Sequence, residues 1–163
     1  MLFRSFTAKK PGVYVLAITL KGVSAQATFA AKDLKDVNLA RLARVTASGE
    51  ENPGLVAKNA VDGDATTRWG SRHRDGEWIQ LDFGQARKVS GLRVKWEAAR
   101  AETCRVEASQ DGATWKTLVD CHAVANAEAD EISWPATSAR YLRLTGLTRN
   151  TNYGISIFEL DVR

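Results

Sequence analysis

Three short stretches carry the residues best suited to chemistry. In Asn59-Ala60-Val61-Asp62-Gly63-Asp64-Ala65-Thr66-Thr67-Arg68-Trp69, two carboxylates flank a glycine and a hydroxyl follows three residues later. Hard cations such as Ca²⁺ take about six to eight oxygens, some from backbone carbonyls freed by a sharp turn. Asp62, Asp64 and Thr67 are therefore candidate ligands, although no Glu stands where an EF-hand would need one. The same residues suit an Asp-Gly turn with solvated carboxylates, and the segment alone leaves both readings open. The second stretch, Ser71-Arg72-His73-Arg74-Asp75, is dense in side-chain donors. The third, Arg149-Asn150-Thr151-Asn152-Tyr153-Gly154, sets an arginine fork near an aromatic ring. A planar donor beside an aromatic face suits a sugar, whose hydroxyls meet the fork and whose C–H face meets the ring. A solvated polar loop is the plainer reading of Arg72, His73 and Arg74.

No catalytic constellation emerges. The two histidines, His73 and His122, have no nucleophile or carboxylate partner readable from spacing. Cys104 falls mid-strand, where a buried or bridged thiol is expected rather than a nucleophile, and nothing singles out a carboxylate pair for glycosidase chemistry. The chain reads as non-enzymatic. Its net charge of +4, from 23 Lys and Arg against 19 Asp and Glu, contains no run of five like charges. That footprint does not support nucleic-acid binding. No apolar stretch reaches the roughly 20 residues that span a bilayer.

The elements that must position these residues are strands. The 163 residues, 44% of them apolar, suffice for one domain and a short appendage. Glu77 to Phe83 alternates, with Ile79, Leu81 and Phe83 on one face and Trp78, Gln80 and Asp82 on the other. In Val89 to Trp96, Leu92 and Val94 share parity with Trp96, so core packing competes with any exposed role for that indole. Trp69, Trp78 and Trp134 read as packing residues. Thr103 to Ser109 and Thr114 to Val119 flank Asp111-Gly112, a strong hairpin turn. Folding about a centre between Gly112 and Ala113 sets Cys104 opposite Cys121, as a disulfide or as two buried thiols. Tyr141 to Leu144 and Ile155 to Val162 complete an all-β pattern of sandwich or barrel type. Residues 1–37 read as a hairpin, Gly12 to Leu20 and Val23 to Ala30 about Lys21-Gly22, with Ala31 to Val37 as a linker. Such a hairpin suits the tail of a preceding domain, and a poor secretory signal is the competing reading.

Five segments also occur in a familiar order. They are the Asn59–Trp69 loop, Glu77-Trp78-Ile79-Gln80-Leu81-Asp82-Phe83-Gly84, Gln110-Asp111-Gly112 with Trp115, Ala139-Arg140-Tyr141-Leu142-Arg143-Leu144, and Tyr153-Gly154-Ile155-Ser156-Ile157-Phe158-Glu159-Leu160. In this order they resemble the coagulation factor 5/8 type C (discoidin-like) family over residues 38–163. The bacterial members, carbohydrate-binding module family 32, are the most similar. The resemblance implies a β-sandwich of jelly-roll, galactose-binding-domain-like type that binds oligo- or polysaccharide without catalysis. It implies a structural Ca²⁺ held by the side chains of Asp62, Asp64, Thr67 and Glu159 and the carbonyls of Asn59, Thr67 and Phe158. Ligand would sit on the loops Gly49–Leu55, Gly70–Gly76, Trp96–Glu102 and Arg149–Gly154, with Glu51, Arg72, His73, Trp96, Glu97, Arg149 and Tyr153 as contacts.

One departure narrows the ligand: Gly70 stands where galactose-binding members often carry His. The basic second loop then points to a uronic acid or another anionic sugar, since arginine forks fit carboxylates. The resemblance further implies an attached glycoside hydrolase or polysaccharide lyase and a secreted, cell-surface or periplasmic location. The alternatives are phospholipid or cell-surface adhesion, as in the animal branch, and a spacer domain in a larger enzyme. Polar loop tips such as Glu50-Glu51-Asn52 argue against membrane insertion.

Overall fold

A computed structural model of the chain describes residues 12–20, 23–31, 38–124 and 128–163. The chain divides into two units, Met1–Val37 and Asn38–Arg163. In the first, β1 (Gly12–Leu20) pairs antiparallel with β2 (Val23–Ala31), Leu20 opposite Val23. The turn at Lys21-Gly22 and the linker from residue 32 to 37 lie outside the described residues.

The second unit holds β3 (Arg44–Ala47), β4 (Trp69–Gly70), β5 (Trp78–Trp96), β6 (Ala101–Ser109), β7 (Lys116–His122), β8 (Asp130–Arg149) and β9 (Ser156–Val162). Two of these strands are long and serve both layers of an all-β sandwich. The first part of β5 pairs with β3 and with Tyr141–Thr145 of β8, which continues through β6 to β7. The last part of β5 pairs with β9 and with the start of β8, and β4 flanks β9. The register shifts between Asp82 and Arg87, where β5 leaves one layer for the other. Gly84 serves that corner with φ of 73°, a conformation costly for other residues, and its N–H donates to the Asp82 carboxylate at 2.8 Å.

Alternation explains the core. Ile79, Leu81 and Phe83 point inward with Leu92, Val94, Val106, Leu142, Leu144, Ile157 and Leu160, and Trp69 and Trp134 are buried with them. Trp78 is different from the packing residue its sequence suggests. It stays half-buried on the outer face, where the Arg143 guanidinium lies 4.6 Å from its ring centre and 3.8 Å from that of Trp115. Cys104 and Cys121 pair across the β6–β7 hairpin as a disulfide, their Cα atoms 4.8 Å apart. Asn38 fastens the start of the unit to its last strand. Its Nδ2 donates to the Leu160 carbonyl at 3.0 Å, and its Oδ1 accepts from the Val162 N–H at 2.9 Å.

Candidate functional site

The strands deliver three of the predicted loops to one place. The Glu51 N–H donates to the Gly70 carbonyl at 2.8 Å, which joins the first loop to the second. Ser71 joins the second loop to the last: its N–H donates to Ile155 O at 2.9 Å, and its Oγ accepts from Ile155 N at 2.8 Å. Gly154 permits that approach, because a Cβ there would strike the Ser71 carbonyl. Asn150 ties in the remaining loop, Trp96–Glu102, by donating to Ala98 O and accepting from Arg100 N, both at 2.9 Å.

On this base, His73 Nε2 lies 3.4 Å from Glu51 Oε1, and the imidazole and the Tyr153 ring meet in a T-shaped contact with ring centres 5.8 Å apart. Tyr153 is 66% exposed, the most exposed large hydrophobic side chain among the described residues. Glu51, His73 and Tyr153 therefore form an open cluster with a carboxylate acceptor, an imidazole and an apolar ring.

The arginines are less free than the sequence suggests. Arg149 Nε donates to Asp75 at 2.8 Å and Nη1 donates to the Tyr153 carbonyl at 3.0 Å, so this side chain shapes the loop that presents the tyrosine. Arg72 and Arg74 both turn toward Glu77, whose side chain is fully buried. Burial pushes the Glu77 carboxyl up, but hydrogen bonds from Ser48 and Arg74 and the charges of Arg72 and Arg74 outweigh it, leaving its pKa below the ordinary value. Across the site, the guanidiniums of Arg72, Arg74 and Arg149 face the carboxylates of Glu77 and Asp75, with Glu51 beside His73. The second loop is thus not the free cationic patch its sequence suggests.

Trp96 and Glu97 have other work. The Trp96 ring packs on the core and its indole N–H donates to Asp130 at 2.7 Å, while Glu97 accepts from the Ala99 N–H at 2.8 Å within its own turn. The residues missed by sequence reasoning are Glu77, Ser48 and Asn150. Glu77 did carry a signal: it shares parity with Ile79, Leu81 and Phe83, which puts a charge on the inward face.

The oxygen-rich loop is an internally bonded turn. Asp62 accepts from Asp64 N and Thr67 Oγ1, both at 2.8 Å, and Asp64 accepts from Thr66 Oγ1 at 2.6 Å. The Thr66 bonds hold the Asp64 carboxyl below the usual range. Asn59 donates to the carbonyls of Gly54 and Arg68, at 3.0 and 3.1 Å. Glu159, in β9 beside Phe158, reaches toward this loop. One oxygen lies 3.4 Å from Arg41, and the other is buried without a partner. Burial raises its pKa, and the nearby Asp161 and Asp62 carboxylates add to that, against the charge of Arg41 and the Gly63 N–H. Among the described residues, no three His, Cys, Asp or Glu side chains already converge as a metal cluster. The orphaned Glu159 oxygen is the feature that fits a cation, since it lacks the hydrogen bond a buried carboxylate needs.

A separate open cleft of about 560 Å³ lies at the opposite end of the sheet, lined by Ser109, Gln110, Asp111, Thr114, Trp115 and Ser138 among others. Its polar groups serve the hairpin. Asp111 accepts from the N–H groups of Ala113 and Thr114 at 2.8 Å, Ser109 bonds Asp111, and Gln110 donates to Ser138 O. Volume and site chemistry do not coincide, and the convergent, exposed groups at the loop end are the better candidate.

The F5/8 type C domain model matches residues 44–160, and the chain belongs to that family. Among solved structures it is similar to chitosan-binding module 1 from a chitosanase/glucanase of Paenibacillus sp. IK-5, with 34% identity and a TM-score of 0.72 over 78% of this chain and 98% of that one. Module 2 of the same enzyme, solved with chitotriose, shares 32% identity at a TM-score of 0.71, over 77% and 98% of the two chains. The CBM32 of AlyQ, solved with 4,5-unsaturated mannuronic acid, shares 28% at 0.67, over 74% and 93%. A polysaccharide lyase 8 family protein, HylA of Enterococcus faecalis, is 30% identical over 116 residues, 65% of this chain. The chain spans 8% of the length of that relative.

Proposed function

We propose that residues 38–163 bind an oligo- or polysaccharide without catalysis, through the loops that carry Glu51, His73, Tyr153 and the paired arginines. The exposed Tyr153 ring, in T-shaped contact with His73 beside Glu51, carries this reading. Such a cluster meets the apolar face of a pyranose while acceptors and N–H donors take its hydroxyls. Two relatives with matching folds were solved with saccharides, chitotriose in one and an unsaturated mannuronic acid in the other. The lyase relative, of which this chain matches a small part, supports a role in bringing an attached polysaccharide-degrading enzyme to its glycan, outside the cell. No described helix is long and apolar enough to cross a membrane.

The Asn59–Trp69 loop, apart from the saccharide loops, receives a structural role. Ca²⁺, when bound by the side chains of Asp62, Asp64, Thr67 and Glu159 with the carbonyls of Asn59, Thr67 and Phe158, would neutralise the loop's carboxylates and satisfy the orphaned Glu159 oxygen. It would fasten the loop to the last strand.

A glycan array with the purified domain tests the binding role, followed by calorimetry on the best oligosaccharide. Affinity in the range of about 0.01–1 mM is expected, because a shallow loop site gains few net contacts over the cost of immobilising the sugar. Tyr153→Ala removes the stacking face and lowers affinity by about tenfold. An array with no bound glycan, or an unchanged affinity in Tyr153→Ala, counts against the site. Affinity that falls steeply with salt identifies a charged sugar, whose sign is read from the glycan bound on the array, and affinity flat in salt identifies a neutral one.

A further inference from the structure

We infer that Glu77 is the positioning residue of the site, holding Arg72 and Arg74 from beneath so that they offer fixed donors to the ligand. The inference rests on the saccharide reading and deepens it. Glu77 has no exposed side-chain surface, yet it follows directly on the exposed run Arg72–Gly76. Its Oε2 accepts from Ser48 Oγ at 2.5 Å. Its Oε1 accepts from Arg74 Nε and lies 3.3 Å from Arg72 Nε.

The carboxylate is itself fixed by the sandwich. The Glu77 carbonyl accepts from Gly146 N at 2.9 Å, and Gly146 O accepts from Gly76 N at 2.8 Å. Ser48 is bound to Trp78 in both directions at 2.9 Å. The base on which the arginines rest is therefore strand backbone, whereas the arginine side chains remain 46% and 62% exposed.

That arrangement has a direct consequence for recognition. A free surface arginine samples many rotamers and loses that freedom on binding. Here each guanidinium turns Nε inward to one anchored carboxylate, and Arg72 Nη2 also donates to the Ser48 carbonyl. The remaining N–H groups are oriented before ligand arrives, which is how a supporting residue sharpens a binding site without touching the ligand. The carboxylate also offsets part of the loop's positive charge, so the arginines act as hydrogen-bond donors to sugar oxygens more than as a trap for anions.

Binding of chitotriose and of an oligomannuronate to Glu77→Gln, measured by calorimetry on the whole chain, tests this. Glutamine keeps the shape and removes the charge. Affinity for whichever probe the native protein binds should fall about tenfold, and adding Arg72→Ala with Arg74→Ala to Glu77→Gln should lower it little further, since residues acting through one another are not additive. Losses that multiply independently would overturn the inference. Arginine Nε–H signals in NMR give a second readout that needs no ligand. Those of Arg72 and Arg74 should be slow to exchange in the native protein and fast in Glu77→Gln, and signals unchanged by the substitution would overturn the positioning role. If the native protein binds neither probe while the signals respond, Glu77 still positions the arginines and the saccharide reading fails for these sugars. If Glu77→Gln does not fold, Ser48→Ala loosens the same carboxylate from its other side. It should weaken binding and speed exchange in the same sense, and no change in either would overturn the proposal.

Discussion

Glu77 and Glu159 are both carboxylates drawn into the sandwich beside a loop, and their proton affinities move in opposite directions. Burial pushes both up. Glu77 ends below the ordinary value because Ser48, Arg72 and Arg74 more than offset burial. Glu159 ends above it, because burial and two neighbouring carboxylates outweigh one arginine at 3.4 Å and the Gly63 N–H, and one of its oxygens is buried without a hydrogen-bond partner. Burial alone therefore does not decide what an inward acid does; the count of partners at each oxygen does. The saturated one is a support for the loop above it, and the unsaturated one is open to a cation.

The largest way to break this contrast is to strip Glu77 of its partners. Arg72→Ala with Arg74→Ala leaves an ionised, buried carboxylate with Ser48 alone. Folding stability should fall by about 3 kcal/mol, the low end for a broken buried pair because both guanidiniums reach solvent. Urea denaturation measures it, and a change within experimental error would mean that Glu77 is not held by these charges.

The second way is to satisfy Glu159. Ca²⁺ that binds only the folded chain should raise stability by about 2.7 kcal/mol at a hundredfold excess over its Kd. Asp62→Ala and Glu159→Gln should each remove most of that response. Without metal, Glu159→Gln should be neutral or stabilising, since it replaces a buried charge that has an unpaired oxygen. A melting curve indifferent to chelator, in protein purified without metal, would leave Glu159 as a carboxylate with no ligand.

The smallest effect sharpens the comparison through pH. A carboxyl whose folded pKa is depressed binds protons more weakly in the folded chain than in the unfolded one. Its stabilisation is present in full above the ordinary glutamate value of 4.5 and is lost as pH falls through the lower folded value. Acid unfolding should therefore be flatter in Glu77→Gln than in the native protein over that window. An identical slope for the two would show that Glu77 gains nothing from its ionised state.

Much of this was written in local pattern. Alternation in Glu77–Phe83 and in Leu92–Trp96 gave the inward faces, because side chains alternate with a period of two along an unbroken strand. The Asp111-Gly112 turn set the register that faces Cys104 with Cys121. The order of five segments was enough to expect the family and the loops that converge. The same parity that buries Ile79 also buries Glu77, so even the inward acid was legible as an inward acid.

What the sequence could not decide is who meets whom. Arg149 pairs with Asp75, 74 positions away, and Ser48 reaches Glu77 across 29. Arg72 and Arg74 look like a free basic loop until the fold sets a carboxylate beneath them, and Trp96 reads both as a core residue and as a ligand contact until the fold packs its ring and gives its N–H to Asp130. Local spacing fixes the face on which a side chain stands. Partners at the ends of long side chains depend on how distant loops pack, and only the assembled sandwich sets those distances.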